Sequence, residues 1–132
     1  MKQIKVVIER SVDMFSSYAE NVEGIYGGGG TVQEAKDSIV AAINLYKKHN
    51  TTGNIPEILK GEYELVFKLD VQSFMDYYKG VFTPAALERI AGINQKQIQH
   101  YSSGYRKPRP AQRKKIEDAL HKLGRELLAV EL

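Results

Sequence analysis

The 132-residue sequence has no cysteine, so disulfides and thiolate metal sites are excluded. It has no apolar run near the ~18–20 residues that a membrane span requires. The first ten residues, MKQIKVVIER, put charge on both sides of a short apolar run. That is the wrong pattern for a secretion signal, and the expectation is a cytoplasmic protein with no membrane partner. Its three histidines include His100 and His121, but these fall on different predicted helices. No metal site and no cofactor are expected. The glycine run Gly27–Gly30 is not followed by Gly-Lys-Ser/Thr, which rules out a Walker phosphate loop. Backbone adaptation at a strand end is the expected role of those glycines.

What is present is ordinary in amount, with 42% hydrophobic and 27% charged residues, but unevenly distributed. Residues 1–70 hold 8 Lys/Arg against 10 Asp/Glu, a net charge of −2. Residues 71–132 hold 11 against 6, a net of +5. An acidic front and a basic back imply different partners for the two parts.

The front half mixes strands with one helix. Gln3–Glu9 and Met14–Glu20 read as strands joined by a hairpin over Arg10–Asp13, and the glycine-rich stretch after Ile25 as a third. Thr31 followed by Glu34 is a capping box. Beyond it, Val32, Ala35, Ile39, Ala42, Ile43 and Tyr46 recur at helical spacing, which predicts a helix to about His49. Asn54–Lys60 reads as a loop and Glu62–Val71 as another strand. From Gln72 onward the pattern is helical: Gln72–Tyr78, Thr83–Ala91, Asn94–Ser102 and Ala111–Glu131, separated by glycines and prolines. The expected architecture is an α+β domain over 1–70, with a three- to four-stranded sheet and one helix, followed by an all-α domain over 71–132.

Thr83–Gly104 reads as two helices around a tight turn. Leu87, Ile90 and Ala91 line the inner face of the first, Gly92 supplies a residue tolerant of positive φ, and Asn94 caps the second. Ala86 falls where the two helices would approach closely. With Ile98 and Tyr101 inward, the polar residues Gln95, Lys96, Gln99 and His100 project from the other side. Glutamine and lysine at such positions can pair with adenine and guanine edges in the major groove. From Asn94 to Lys115 there are seven Lys/Arg (Lys96, Arg106, Lys107, Arg109, Arg113, Lys114 and Lys115) and no acid. Such a tract suits phosphate, with contacts expected from Tyr105, Arg106, Lys107 and Arg109 and from Thr83, Asn94 and Gln97. The bland alternative is a solvated basic face on a helical bundle.

Thr83–Pro108 resembles the phage-repressor helix-turn-helix of the Xre/Cro type, through its Leu87/Ile90/Ala91–Gly92–Ile93 core, the Asn94 cap, Ile98 and the Ser103-Gly104 step into a basic loop. The resemblance implies base reading at Gln95, Lys96 and His100, with Gln99 close by. Where that family often has Gln after the Thr that opens the first helix, this chain has Pro84. Residues 2–48 resemble the HicB antitoxin domain, in KVVIER, FSSYAENVEG and TVQEAKDSIVAAINLY. That resemblance implies a truncated RNase H-like fold, neutralisation of a HicA-like toxin that cleaves messenger RNA, and repression of the protein's own operon as a homodimer or higher oligomer. A solitary HicB-like regulator without toxin is the alternative.

A nuclease reading of the front half would need several carboxylates converging on two metal ions. Glu9, Asp13, Glu20 and Glu23 are candidates by type, but nothing in their spacing places them in one pocket. Surface acids are the expected reading. No Ser/His/Asp set is visible, no catalytic residue is assigned, and the chain is not expected to be an enzyme.

Overall fold

Alternation of apolar and polar residues from Lys2 to Arg10 produces strand β1, with Ile4, Val6 and Ile8 at most 2% exposed on one face. β2, Phe15–Ala19, runs antiparallel to it and buries Phe15, Ser17 and Ala19 on the same side. β3, Tyr26–Gly29, pairs antiparallel with β2. Helix α1, Val32–His49, buries Val32, Ala35, Ile39 and Ile43, which lie on the stripe read from the sequence. β4, Tyr63–Lys68, then joins beside β1 in parallel, giving the order β3-β2-β1-β4. The computed structural model describes residues 1–132, which form two units, Met1–Asp70 and Val71–Leu132.

The capping box at α1 forms with one difference. The Thr31 hydroxyl accepts from the Glu34 amide at 3.1 Å, but the Glu34 carboxylate takes the Gly30 amide at 2.9 Å. The glycine run has a different cause from the one expected. None of Gly27–Gly30 has positive φ. Instead α1 lies directly on β3: a Cβ on Gly27 would come within 2.7 Å of Ser38 Oγ and 2.9 Å of the Ile39 nitrogen. On Gly29 it would fall on Glu34 Cβ and 3.0 Å from the Glu34 carbonyl carbon. Close helix–strand approach, rather than relief of φ restrictions, requires glycine there.

Ser17 is 1% exposed and faces α1, where its hydroxyl donates to the Ala35 carbonyl at 3.1 Å. Ser17→Ala is expected to cost about 1 kcal/mol, the usual net worth of one such bond; an unchanged urea midpoint would show that the bond contributes nothing. The segment read as a loop over 54–60 carries a single 3-10 turn, Glu57–Leu59, which buries Leu59 completely, and another such turn, Thr52–Asn54, leads into it.

The second unit is helical: α2 Val71–Tyr77, α3 Pro84–Ala91, α4 Gln95–Ser103 and α5 Pro110–Leu128. Met75, Leu87, Ala91, Ile93, Ile98, Tyr101 and Ile116 form its core, with Val71, Phe74 and Phe82 packed on it. Val71, expected to end β4, opens α2 because its side chain joins this core. α5 stops at Leu128, short of the expected Glu131, where the amides of Ala129 and Val130 fold back onto Glu126 and Leu127 at 3.1 Å each. Such i→i+3 bonds close a helix by tightening its last turn. The protein is therefore α+β, with a four-stranded mixed sheet and five helices.

Candidate nucleic-acid interface

Thr83 caps α3 by accepting from the Ala86 amide at 3.1 Å, and Pro84 occupies the first helical position, where no amide is needed. Ala86 itself is half-buried. Gly92 ends α3 at φ +71°, and a Cβ there would meet nothing within 4 Å. The glycine is needed for its backbone conformation alone. Ile93 drops into the core at 3% exposure, and Asn94 then caps α4, its side-chain carbonyl accepting from the Lys96 amide at 2.8 Å.

A second acceptor at this helix start was not read from the sequence. Glu88, on α3, accepts from the Gln95 amide at 2.5 Å. Together Glu88 and Asn94 satisfy two of the amides that open α4, so a carboxylate already sits at the positive end of its dipole. Seven residues separate Glu88 from its partner, and only the turn at Gly92 brings them together. The available signal was a carboxylate four residues before a glycine turn and a cap.

The inner face of α4 is Ile98 and Tyr101, 0% and 3% exposed. At 100° per residue, the direction opposite these two falls on Lys96, Gln99, His100 and Ser103. Lys96, Gln99 and Ser103 are exposed and His100 is half-buried. Of the four residues read as base-contacting, Lys96, Gln99 and His100 therefore share the outward face. Gln95 lies at its edge, half-buried. Gln97 lies at the opposite edge, where its amide nitrogen donates to the Tyr101 hydroxyl at 2.8 Å. Ser103, not assigned a role from the sequence, extends the outward face by one turn; its hydroxyl donates to the His100 carbonyl at 3.2 Å.

The chain leaves α4 through Gly104 at φ +81°, where the side chain of Gln72 packs against the glycine and a Cβ would lie 2.7 Å from its Nε2. Tyr105 then turns back beside His100, ring centroids 5.0 Å apart, and the Arg106 guanidinium lies 5.7 Å from the Tyr105 ring centre. The Arg106 amide donates to the His100 carbonyl at 3.2 Å. A His–Tyr–Arg stack thus links the outward face of α4 to the basic loop. Tyr105, Arg106, Lys107 and Arg109 are all exposed, and Arg109 is the residue that precedes α5. Arg113, Lys114 and Lys115 continue along α5, with Lys114 also 3.5 Å from Asp118. Exposed cations of this kind contribute little to folding stability and are available to an anionic partner.

In the first unit the acids considered for metal chemistry do not converge. Glu9 accepts weakly from the Tyr18 hydroxyl at 3.4 Å; burial and then the Glu9 carboxylate push that phenol upward from its usual pKa. No group of three His, Cys, Asp or Glu residues is placed to hold a metal ion. No helix is long and apolar enough to cross a membrane. Comparisons with protein-family models, with curated proteins and with solved structures return no match.

Proposed function

We propose that this chain is a DNA-binding transcriptional repressor of the antitoxin type, with a helix-turn-helix in its second unit and an acidic, HicB-like first unit that masks a basic, RNA-cleaving toxin. The observation that carries the DNA reading is the outward face of α4. Lys96, Gln99 and His100 stand on it, and the stack of His100, Tyr105 and Arg106 joins it to a tract with no acid. In this reading α4 enters the major groove, Lys96 and Gln99 contact base edges, and the loop and the start of α5 hold phosphates.

The toxin reading is supported by the order of elements in the first unit. Three antiparallel strands, the third of them glycine-rich, and a Thr31-capped helix follow one another as the HicB resemblance implies. The net charge of −2 over residues 1–70 suits a basic partner, since complementary charge speeds encounter.

Selection of bound duplexes from a random DNA pool tests the DNA reading. The full chain should enrich a two-fold sequence, because one motif reads one half-site. Lys96→Ala and Gln99→Ala should each relax preference at one half-site position by about 5- to 150-fold, the 1–3 kcal/mol of a bidentate base contact. Enrichment of no sequence, or the same sequence with both variants, would remove α4 from base reading. Affinity capture from the source cell tests the toxin reading. A small basic ribonuclease held by the first unit is the expected result; DNA alone would leave a repressor without toxin.

A further inference from the structure

Between Thr83 and Lys115 the chain carries eight Lys/Arg and one acid, Glu88. On a surface read as meeting phosphates, that carboxylate is the one group of the wrong sign. It is exposed, yet it forms an ion pair with none of the eight cations. It accepts instead from the neutral amide of Gln95, the first residue of α4, at 2.5 Å. That bond fixes a negative charge one residue away from Lys96, on the outward face.

The position has an electrostatic consequence. A helix start offers free amides and the positive end of a dipole, and in DNA-binding proteins such an end commonly meets a backbone phosphate. At α4 the Gln95 amide goes to Glu88 and the Lys96 amide goes to the Asn94 side chain, 2.8 Å away. The end is therefore filled, and one of its two acceptors is a full negative charge that a phosphate would have to approach. Capping alone does not require that charge. Asn94 caps α4 without one, and Thr83 serves α3 with a neutral hydroxyl. Within the major groove the balance differs, because base edges present donors and acceptors of partial charge. The carboxylate thus opposes poses in which the start of α4 lies on the DNA backbone, and tolerates the pose in which α4 enters the groove.

We infer that Glu88 is a specificity-determining residue: its carboxylate, fixed on the Gln95 amide, keeps DNA phosphate away from the start of α4 and so weakens binding to non-cognate duplex. A charge set against the wrong partner widens a difference in affinity without adding any contact to the right one. The inference rests on the DNA reading, and adds to it the means by which a strongly basic surface discriminates among duplexes.

Fluorescence anisotropy of the full chain, with random duplex and with the selected sequence, tests it. Glu88→Gln removes the charge but leaves a side-chain oxygen for the Gln95 amide. It should bind random duplex about fivefold more tightly, the effect of relieving one like-charge contact in water. The selected sequence should gain less, so the ratio of the two affinities should fall, and the gain should fade as added salt screens the charge. Glu88→Asp, which restores the charge, should restore the weaker binding to random duplex even where its shorter reach lowers the melting temperature. Unchanged random-duplex affinity in Glu88→Gln, or an equal gain on both duplexes, would overturn the inference and leave the DNA reading in place. So would a Glu88→Asp variant as tight on random duplex as Glu88→Gln, since capping rather than charge would then be the cause. Wild-type protein that binds no duplex at all would overturn both.

Discussion

Replacing Gly29 by valine is expected to destabilise the sheet unit by about 3 kcal/mol, at the upper end of overpacking costs. The reason is geometric. The first side-chain atom would fall on Glu34 Cβ, with the Glu34 carbonyl carbon at 3.0 Å and the Ala35 nitrogen at 3.1 Å. Two of these neighbours are backbone of α1 and cannot swing aside. Relief requires α1 to lift from β3, which would pull Ile39 and Ser38 from their seats; Ser38 accepts from the Gly28 amide at 3.0 Å. Gly53→Ala is the control, because a Cβ there meets nothing within 4 Å and φ is not positive. It should change stability by no more than about 0.5 kcal/mol. Hydrogen exchange of the β1 and β2 amides reports this unit separately from the helical one. Protection in Gly29→Val equal to that in the control would mean that α1 does not rest on β3 as described.

The second large effect is on salt dependence. Removing Arg106, Lys107 and Arg109 together should make the negative slope of log affinity against log salt shallower by about 2.7, at about 0.9 for each phosphate no longer neutralised. Affinity for random duplex should fall with affinity for the selected sequence, because phosphate contacts position the protein without reading bases. Lys96→Ala should instead act mainly on the selected sequence. This contrast separates the two roles on one surface. A triple variant with the wild-type slope would leave the tract a solvated basic face, and the phosphate assignment would fall.

Much of the local structure was legible in the residues. Thr31 and Glu34 mark the start of α1, and the apolar stripe through Ile39 and Ile43 marks its buried side, because both are matters of helical spacing. Leu87, Ala91, Gly92, Asn94 and Ile98 define two helices and the turn between them for the same reason. The outward placement of Lys96, Gln99 and His100 follows from the burial of Ile98 and Tyr101 on the opposite face. The glycine run was legible as unusual but not in its cause, since close approach depends on a helix that the run precedes in the chain. Glu88 was missed because its role at the Gln95 amide exists only once α3 and α4 are folded against each other.

The sequence by itself determined where helices and strands begin, which faces they bury, and the opposite charge of the two halves, because these depend on neighbours within a few residues. Only the tertiary structure decided that β4 lies parallel beside β1 rather than beyond β3, that α1 rests on Gly27 and Gly29, and that the Gln72 side chain packs against Gly104. Each of these is a contact between segments distant in the chain, and local spacing carries no information about which distant surface a buried face will meet.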